Sequence, residues 1–137
     1  MRNEAENVAA CVTALKEQTG IHQLQLIIIN DSSTDKTLQL VHESIGADSR
    51  FIVIDSPELR TGWLGKVSAL QAGYEAAEAE FIVTIDADVR LKPKALVRAV
   101  NQVKDLSLDY VSPYPQQIAG SFSEKLIQPL LHWSRIS

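Results

Sequence analysis

Apolar, strand-favouring runs alternate with helix-favouring segments along the chain, and this alternation constrains the fold more than any other feature of the sequence. β-Branched and aromatic residues dominate the runs, which predicts buried strands at 24–29, 51–55 and 81–85 and a brief strand at 110–112. Helical periodicity predicts helices at about 3–18, 35–45, 66–78 and 93–103. We therefore predict an α/β fold with a doubly wound, mostly parallel sheet, in which residues 1–137 form one domain.

Residue types at set spacings predict how two of these helices begin and pack. Asn3 and Glu6 have the spacing of a capping box, which would begin the first helix. Val67, Leu70 and Tyr74 recur at helical spacing, so we expect them on the buried face of the third helix.

Aspartates follow the predicted strands at the edge of the sheet where ligands of such folds bind: Asp31, Asp55, Asp86 and Asp88. One residue separates Asp86 from Asp88, so an extended backbone would point both carboxylates to the same side. Two like charges repel unless a cation lies between them. The pair therefore indicates a site for a divalent cation, the alternative being a loop carboxylate and a helix cap without metal.

Composition narrows the class of protein. The chain is 45% hydrophobic and 22% charged with a net charge of −4, which suits a soluble domain and argues against general nucleic-acid binding. Cys11 is the single cysteine and falls on an apolar helix stripe, which indicates a reducing compartment and a core residue rather than a nucleophile. Because we find neither a spanning run nor a signal-peptide core, we expect a cytoplasmic protein.

Four segments resemble the nucleotide-binding half of an inverting glycosyltransferase of family 2, which has the GT-A (Rossmann-like) fold. They are RNEAEN, IIINDSSTDKT, GKVSALQAG and IDADV, in the family's order over about residues 2–90. The last resembles the family's Asp-x-Asp (DXD) motif. The resemblance implies a nucleotide-diphosphate sugar as donor, UDP-linked, with Mg²⁺ or Mn²⁺ as cofactor.

The same resemblance implies roles for particular residues. Asp88 would ligate the metal, and Asp86 would face the ribose or a metal-bound water. Asp31 would accept a hydrogen bond from the base, and Lys66 would lie near the donor as a positive contact. The nucleotide-binding residues implied are Arg2, Glu4, Asp31, Lys66 and Asp86. For the segment that begins at Asp31 the alternative is turn and capping chemistry alone, and for Lys66 it is a solvated side chain.

The sequence also departs from the family. Asn30 and Ser32 stand where the family often has aspartate and glycine. The family's catalytic base lies beyond the Asp-x-Asp motif, and no carboxylate after Val111 fits it, so the catalytic residue is unassigned. The chain begins on a helix where the family has a central strand. We therefore expect an incomplete domain, truncated at both ends, whose exposed strand edges favour self-association.

The segments GWLGK and SEKLIQPLLHWS resemble bacterial members associated with hopanoid or carotenoid metabolism, whose acceptors are membrane lipids. Ser121 and Glu124 would cap a final helix with a wide apolar surface. These features suggest a lipid acceptor and a parent protein on the cytoplasmic face of a membrane. Lys125 and Arg135 are few cations for an interfacial helix, so the acceptor stays open.

Two other functions remain open from the sequence. The first is a hydrolase that forms a phosphoaspartate on the first aspartate of the Asp-x-Asp pair, although Val89 and Arg90 do not match the turn expected after it. The second is a non-catalytic or degenerate fragment that binds nucleotide.

Overall fold

The structure, a computed structural model, describes residues 1–57 and 62–113. These residues form two strands and four helices, and the parallel pairing of the strands around a helix confirms the α/β class. The elements, in chain order, are α1 (Ala5–Lys16), β1 (Leu26–Asn30), α2 (Thr37–Ile45), β2 (Phe51–Asp55), α3 (Gly65–Ala76) and α4 (Ala95–Asp105).

The strands β1 and β2 lie side by side and run parallel, with α2 as the crossover between them. Their register pairs Leu26 with Phe51 and Asn30 with Asp55, so both strands end at the same edge of the sheet. Among the described residues these are the strands of the sheet. A parallel pair joined through a helix is the unit from which doubly wound sheets are built.

Helices α1 and α2 cover one face of β1. Alternate residues of β1 are buried because successive side chains of a strand point to opposite faces. The resulting core is a cluster of Val8, Val12, Ile28, Val41 and Ile45. Helix α3 covers the other face, where a Cβ on Gly73 would lie 2.6 Å from Ile29 Cδ1. Only a glycine permits that close approach without displacing the isoleucine.

The capping box predicted for Asn3 and Glu6 is wrong. Among the described residues no side chain caps α1 in the box geometry, and Asn3 has a φ of 54°. The start of α2 and the loop before it supply the acceptors instead: the N–H of Glu4 donates to Thr37 Oγ1 at 2.7 Å, and the N–H of Ala5 donates to Asp35 Oδ2 at 3.4 Å. Local spacing does not report acceptors supplied from elsewhere in the chain.

The inward face predicted for α3 is also wrong. Val67, Leu70 and Tyr74 are 48%, 42% and 64% exposed, whereas Ser68 and Ala69 are buried. Small side chains allow α3 to pack closely on β1, and the bulky ones turn toward a cleft between β1 and the segment 81–86. The need for close packing here overrides the hydrophobic periodicity.

The predicted strands at 81–85 and 110–112 do not form, although both segments are described. Ile82 and Val83 are 46% and 48% exposed. A cleft of about 1630 Å³ separates the segment 81–86 from β1. Strand propensity reflects packing against neighbours, and within the described residues this segment has no hydrogen-bonded strand beside it.

Two expectations concern the end of the chain and its relation to membranes. The final helix predicted from Ser121 and Glu124 lies outside the described residues. In the part of the chain that the structure describes, no helix has both the length and the apolar character needed to cross a bilayer.

Candidate functional site

The cleft beside β1 brings together side chains that are far apart in the sequence. It is bounded by the end of β1, the first turn of α3 and the segment 81–88. All six residues predicted to bind nucleotide or metal line it: Arg2, Glu4, Asp31, Lys66, Asp86 and Asp88. Their individual roles stay predictions.

Asp31 is positioned by the end of β1 and by the start of α3. Its N–H donates to the C=O of Met1 at 2.8 Å, and its side chain is half-buried. A Cβ on Gly65 would lie 3.0 Å from Asp31 Oδ2. The first residue of α3 therefore has to be small for the helix to begin where it does. This contact places the positive end of the helix dipole beside the Asp31 carboxylate.

Asn30 gives the loop after β1 its shape. Its side-chain N–H donates to Asp55 Oδ1 at 2.7 Å, and its Oδ1 accepts from the N–H of Ser33 at 3.2 Å. Asn30 is buried, so an amide that both donates and accepts satisfies two groups at once. The departure from the family at this position thus has a structural role, and Asp55 is engaged with Asn30.

The two aspartates of the Asp-x-Asp motif are the first and third residues of a tight turn. The N–H of Val89 donates to the C=O of Asp86 at 3.1 Å, so the backbone turns between them instead of staying extended. Both carboxylates nevertheless line the cleft. Arg90 stabilises the turn, because its guanidinium donates a hydrogen bond to the C=O of Ala87 at 2.7 Å.

A chain of side-chain hydrogen bonds ties this turn to α1. Arg90 donates to Asn7 Oδ1 at 2.7 Å, and the Asn7 side-chain N–H donates to Glu4 Oε2 at 2.8 Å. Glu4 is therefore linked to the turn through Asn7. Our sequence reasoning gave no role to Asn7, Arg90 or Gly65. The available signal was that each lies within or directly beside a segment that resembles the family.

Lys66 and Asp86 form an ion pair across the cleft. Lys66 Nζ lies 2.7 Å from Asp86 Oδ1, and the two side chains are 71% and 63% exposed. The hydrogen bond to Asp86 raises the pKa of the Lys66 ammonium above its usual value. This contact joins α3 to the Asp-x-Asp turn, and both segments line the cleft.

The donor set suits a hard divalent cation that is also held by a phosphate. Within residues 1–57 and 62–113 no three His, Cys, Asp or Glu side chains gather into a metal site. Mg²⁺ usually takes one or two protein carboxylates and completes its shell with water and substrate phosphates. Asp86 and Asp88 provide two such carboxylates. A positive charge already lies beside one of them, because the Lys66 ammonium donates to Asp86 Oδ1. Asp86 and Asp88 are therefore the residues that could hold such a cation together with a phosphate.

Cys11 belongs to the core, as predicted. It is 3% exposed and packs with Leu15 and Leu26. Burial raises the pKa of its thiol, which keeps the sulfur protonated and unreactive near neutral pH.

Comparison with known proteins places these features in a family context. The sequence model of the family described as "Glycosyl transferase family 2" matches residues 1–135. A dodecaprenyl-phosphate galacturonate synthase of Rhizobium johnstonii is 30% identical over 104 residues, which cover 76% of this chain and 28% of that protein. A poly-beta-1,6-N-acetyl-D-glucosamine synthase of Staphylococcus aureus is 35% identical over 89 residues, or 63% of this chain and 19% of that protein.

A third relative is an undecaprenyl-phosphate 4-deoxy-4-formamido-L-arabinose transferase of Pseudomonas fluorescens. It is 26% identical over 84 residues, which cover 61% of this chain and 24% of that protein. The chain thus spans less than a third of the length of each of these relatives. No solved structure matches the chain.

Proposed function

Because the chain belongs to glycosyl transferase family 2, we propose that it forms the donor half of a glycosyltransferase site, binding a nucleotide-diphosphate sugar together with Mg²⁺ or Mn²⁺. The observation that carries the proposal is the convergence of Asp31, the Asp-x-Asp turn and Lys66 on one cleft. A nucleotide diphosphate has a base and a charged diphosphate, and the cleft offers Asp31 as a candidate contact for the first and Lys66 with the Asp-x-Asp pair as candidates for the second.

Each part of the cleft has a chemical task in this proposal. Asp31, beside the start of α3, accepts a hydrogen bond from the imide N–H of uracil. Asp86 and Asp88 hold the metal, which when bound stabilises negative charge on the departing diphosphate. Lys66 adds a positive charge toward the same phosphates. The Glu4–Asn7–Arg90 hydrogen bonds keep the Asp-x-Asp turn in place against α1.

The reaction proposed for the parent protein is transfer of the sugar, with inversion, to an acceptor hydroxyl or phosphate. The names of two relatives contain a polyprenyl phosphate. This supports a membrane lipid as acceptor, and we propose that the parent protein works at the cytoplasmic face of a membrane. Membership of the family counts against the phosphoaspartate hydrolase considered above.

Isothermal titration calorimetry with UDP tests the proposal. We expect UDP to bind in the presence of Mn²⁺ and much more weakly without it. Asp88→Asn removes one ligand charge and should weaken binding of UDP with Mn²⁺ at least about 10-fold, since hydrogen bonds and contacts to charged groups are worth roughly 1.5–3 kcal/mol. Asp109→Asn is the matched control, because Asp109 is exposed and does not line the cleft.

Selectivity for the base provides a second arm. Wild-type protein should prefer UDP to ADP, and Asp31→Ala should reduce that preference while leaving the requirement for Mn²⁺ intact. UDP binding with the same affinity in the presence and absence of Mn²⁺ would contradict the proposal. Equal effects of Asp88→Asn and Asp109→Asn on UDP binding would contradict it as well.

A further inference from the structure

The Lys66 ammonium is paired with one of the two carboxylates proposed to hold the metal. Lys66 Nζ lies 2.7 Å from Asp86 Oδ1. A divalent cation held by the same carboxylate would repel the ammonium. Lys66 stands in the first turn of α3, directly after Gly65, whose backbone lies close to Asp31. Its side chain is 71% exposed, so the ammonium is free to move while its Cα stays in place.

We propose that Lys66 acts as the resident counter-ion of Asp86, which a divalent cation displaces and which then pairs with the donor diphosphate. This inference rests on the proposed function and adds a positioning role: Lys66 makes binding of the metal depend on the nucleotide. Without nucleotide, the lysine competes with the metal for Asp86. With nucleotide, the phosphates attract the lysine away and the competition ends.

Charge addition supports this exchange. Asp86 and Asp88 together carry two negative charges, and Lys66 carries one positive charge. A divalent cation added to these three groups leaves the site with a net positive charge. The diphosphate group of a nucleotide brings negative charge that stabilises both the metal and the ammonium. Metal and nucleotide should therefore bind with positive cooperativity, and Lys66 should be one source of it.

The size of the effect follows from the exposure of the pair. Exposed ion pairs contribute roughly 0.2–1 kcal/mol, which corresponds to a factor of about 1.4 to 5 in a binding constant. We therefore expect Lys66→Met to bind Mn²⁺ alone about two- to five-fold more tightly than wild type. The same variant should bind UDP in the presence of Mn²⁺ several-fold more weakly, because the contact to phosphate is lost.

Two titrations of the 137-residue chain measure these effects. Free Mn²⁺ is followed by electron paramagnetic resonance at low salt without nucleotide, and UDP binding is followed by calorimetry at fixed Mn²⁺. Lys66→Arg retains the charge and should resemble wild type in the Mn²⁺ titration. Lys36→Met is the matched control, since Lys36 is exposed and lies outside the cleft. Thermal melts of every variant show that it is folded.

Opposite changes in the two titrations for Lys66→Met support the inference. An affinity of Lys66→Met for Mn²⁺ that is equal to or below that of wild type overturns it, as does the absence of any Mn²⁺ binding by the variant. Failure of the proposed function looks different: wild type would then bind no UDP with Mn²⁺, or Asp88→Asn would bind it as well as wild type.

Discussion

Replacing Val12 by alanine tests whether the core lies where the structure places it. Val12 is fully buried between α1, α2 and β1. The change removes two methyl groups at about 0.8 kcal/mol each and leaves a cavity that adds about 1 kcal/mol. The higher helix propensity of alanine returns roughly 0.5 kcal/mol. We expect a net loss of about 2 kcal/mol, which lowers the melting midpoint by about 6–10 °C for a domain of this size.

Val67→Ala is the same chemical change at a position that hydrophobic periodicity predicts to be buried and the structure shows 48% exposed. Because Val67 is half exposed, this change loses only about half of the transfer free energy, and the gain in helix propensity offsets most of that loss. The melting midpoint of Val67→Ala should therefore stay within about 2 °C of wild type. Differential scanning calorimetry of the two variants makes the comparison. Equal destabilisation by both changes would refute the placement of α3.

Three further predictions concern the site, the starts of α1 and α2, and the exposed apolar residues of the segment 81–85. Gly65→Ala should leave the melting midpoint nearly unchanged yet weaken UDP binding, because the new Cβ would stand 3.0 Å from Asp31 Oδ2; unchanged affinity in calorimetry would contradict this. Asp35 accepts hydrogen bonds at the starts of α1 and α2, which lower its pKa below 3.8. Asp35→Ala should therefore lower the melting midpoint most above pH 3.8, where Asp35 is ionised in both states, and less as the pH falls through the lowered pKa of the folded state. A difference in midpoint between wild type and variant that stays constant across a pH series would argue against this role. Ile82 and Val83 are exposed apolar residues in a segment without a strand partner among the described residues, so we predict concentration-dependent self-association in sedimentation velocity. Replacing both residues by lysine should reduce the self-association. A wild-type chain that is monomeric at all concentrations would contradict the prediction.

Local sequence pattern predicts the elements whose packing partners are also local. The parallel pair β1 and β2 and the crossover helix α2 follow from β-branched runs and helical periodicity, and Phe51–Asp55 forms a strand with the predicted bounds. The segment 81–85 has equally strong strand-forming residues but no neighbouring strand in the described residues. Strand formation depends on that neighbour, which the segment's own sequence does not report.

The candidate site shows the same division. The sequence alone shows acidic residues at the ends of predicted strands. Since ligands bind at the carboxyl edge of a parallel sheet, this pattern predicts where the site lies. It does not predict which side chains meet. Lys66 pairs with Asp86 across 20 positions, and Arg90 reaches Asn7 across 83. Such pairs depend on how α3 and the Asp-x-Asp turn pack around the cleft, which is tertiary information.

The most direct test of a metal-dependent nucleotide site is the melting midpoint of the chain in four conditions: without ligand, with Mn²⁺, with UDP and with both together. A ligand at about 100 times its dissociation constant stabilises the folded state by roughly 2.7 kcal/mol, which raises the midpoint by several degrees. The account predicts a rise that requires Mn²⁺ and UDP together and that Asp88→Asn abolishes. A cooperative melt whose midpoint is the same in all four conditions would contradict it.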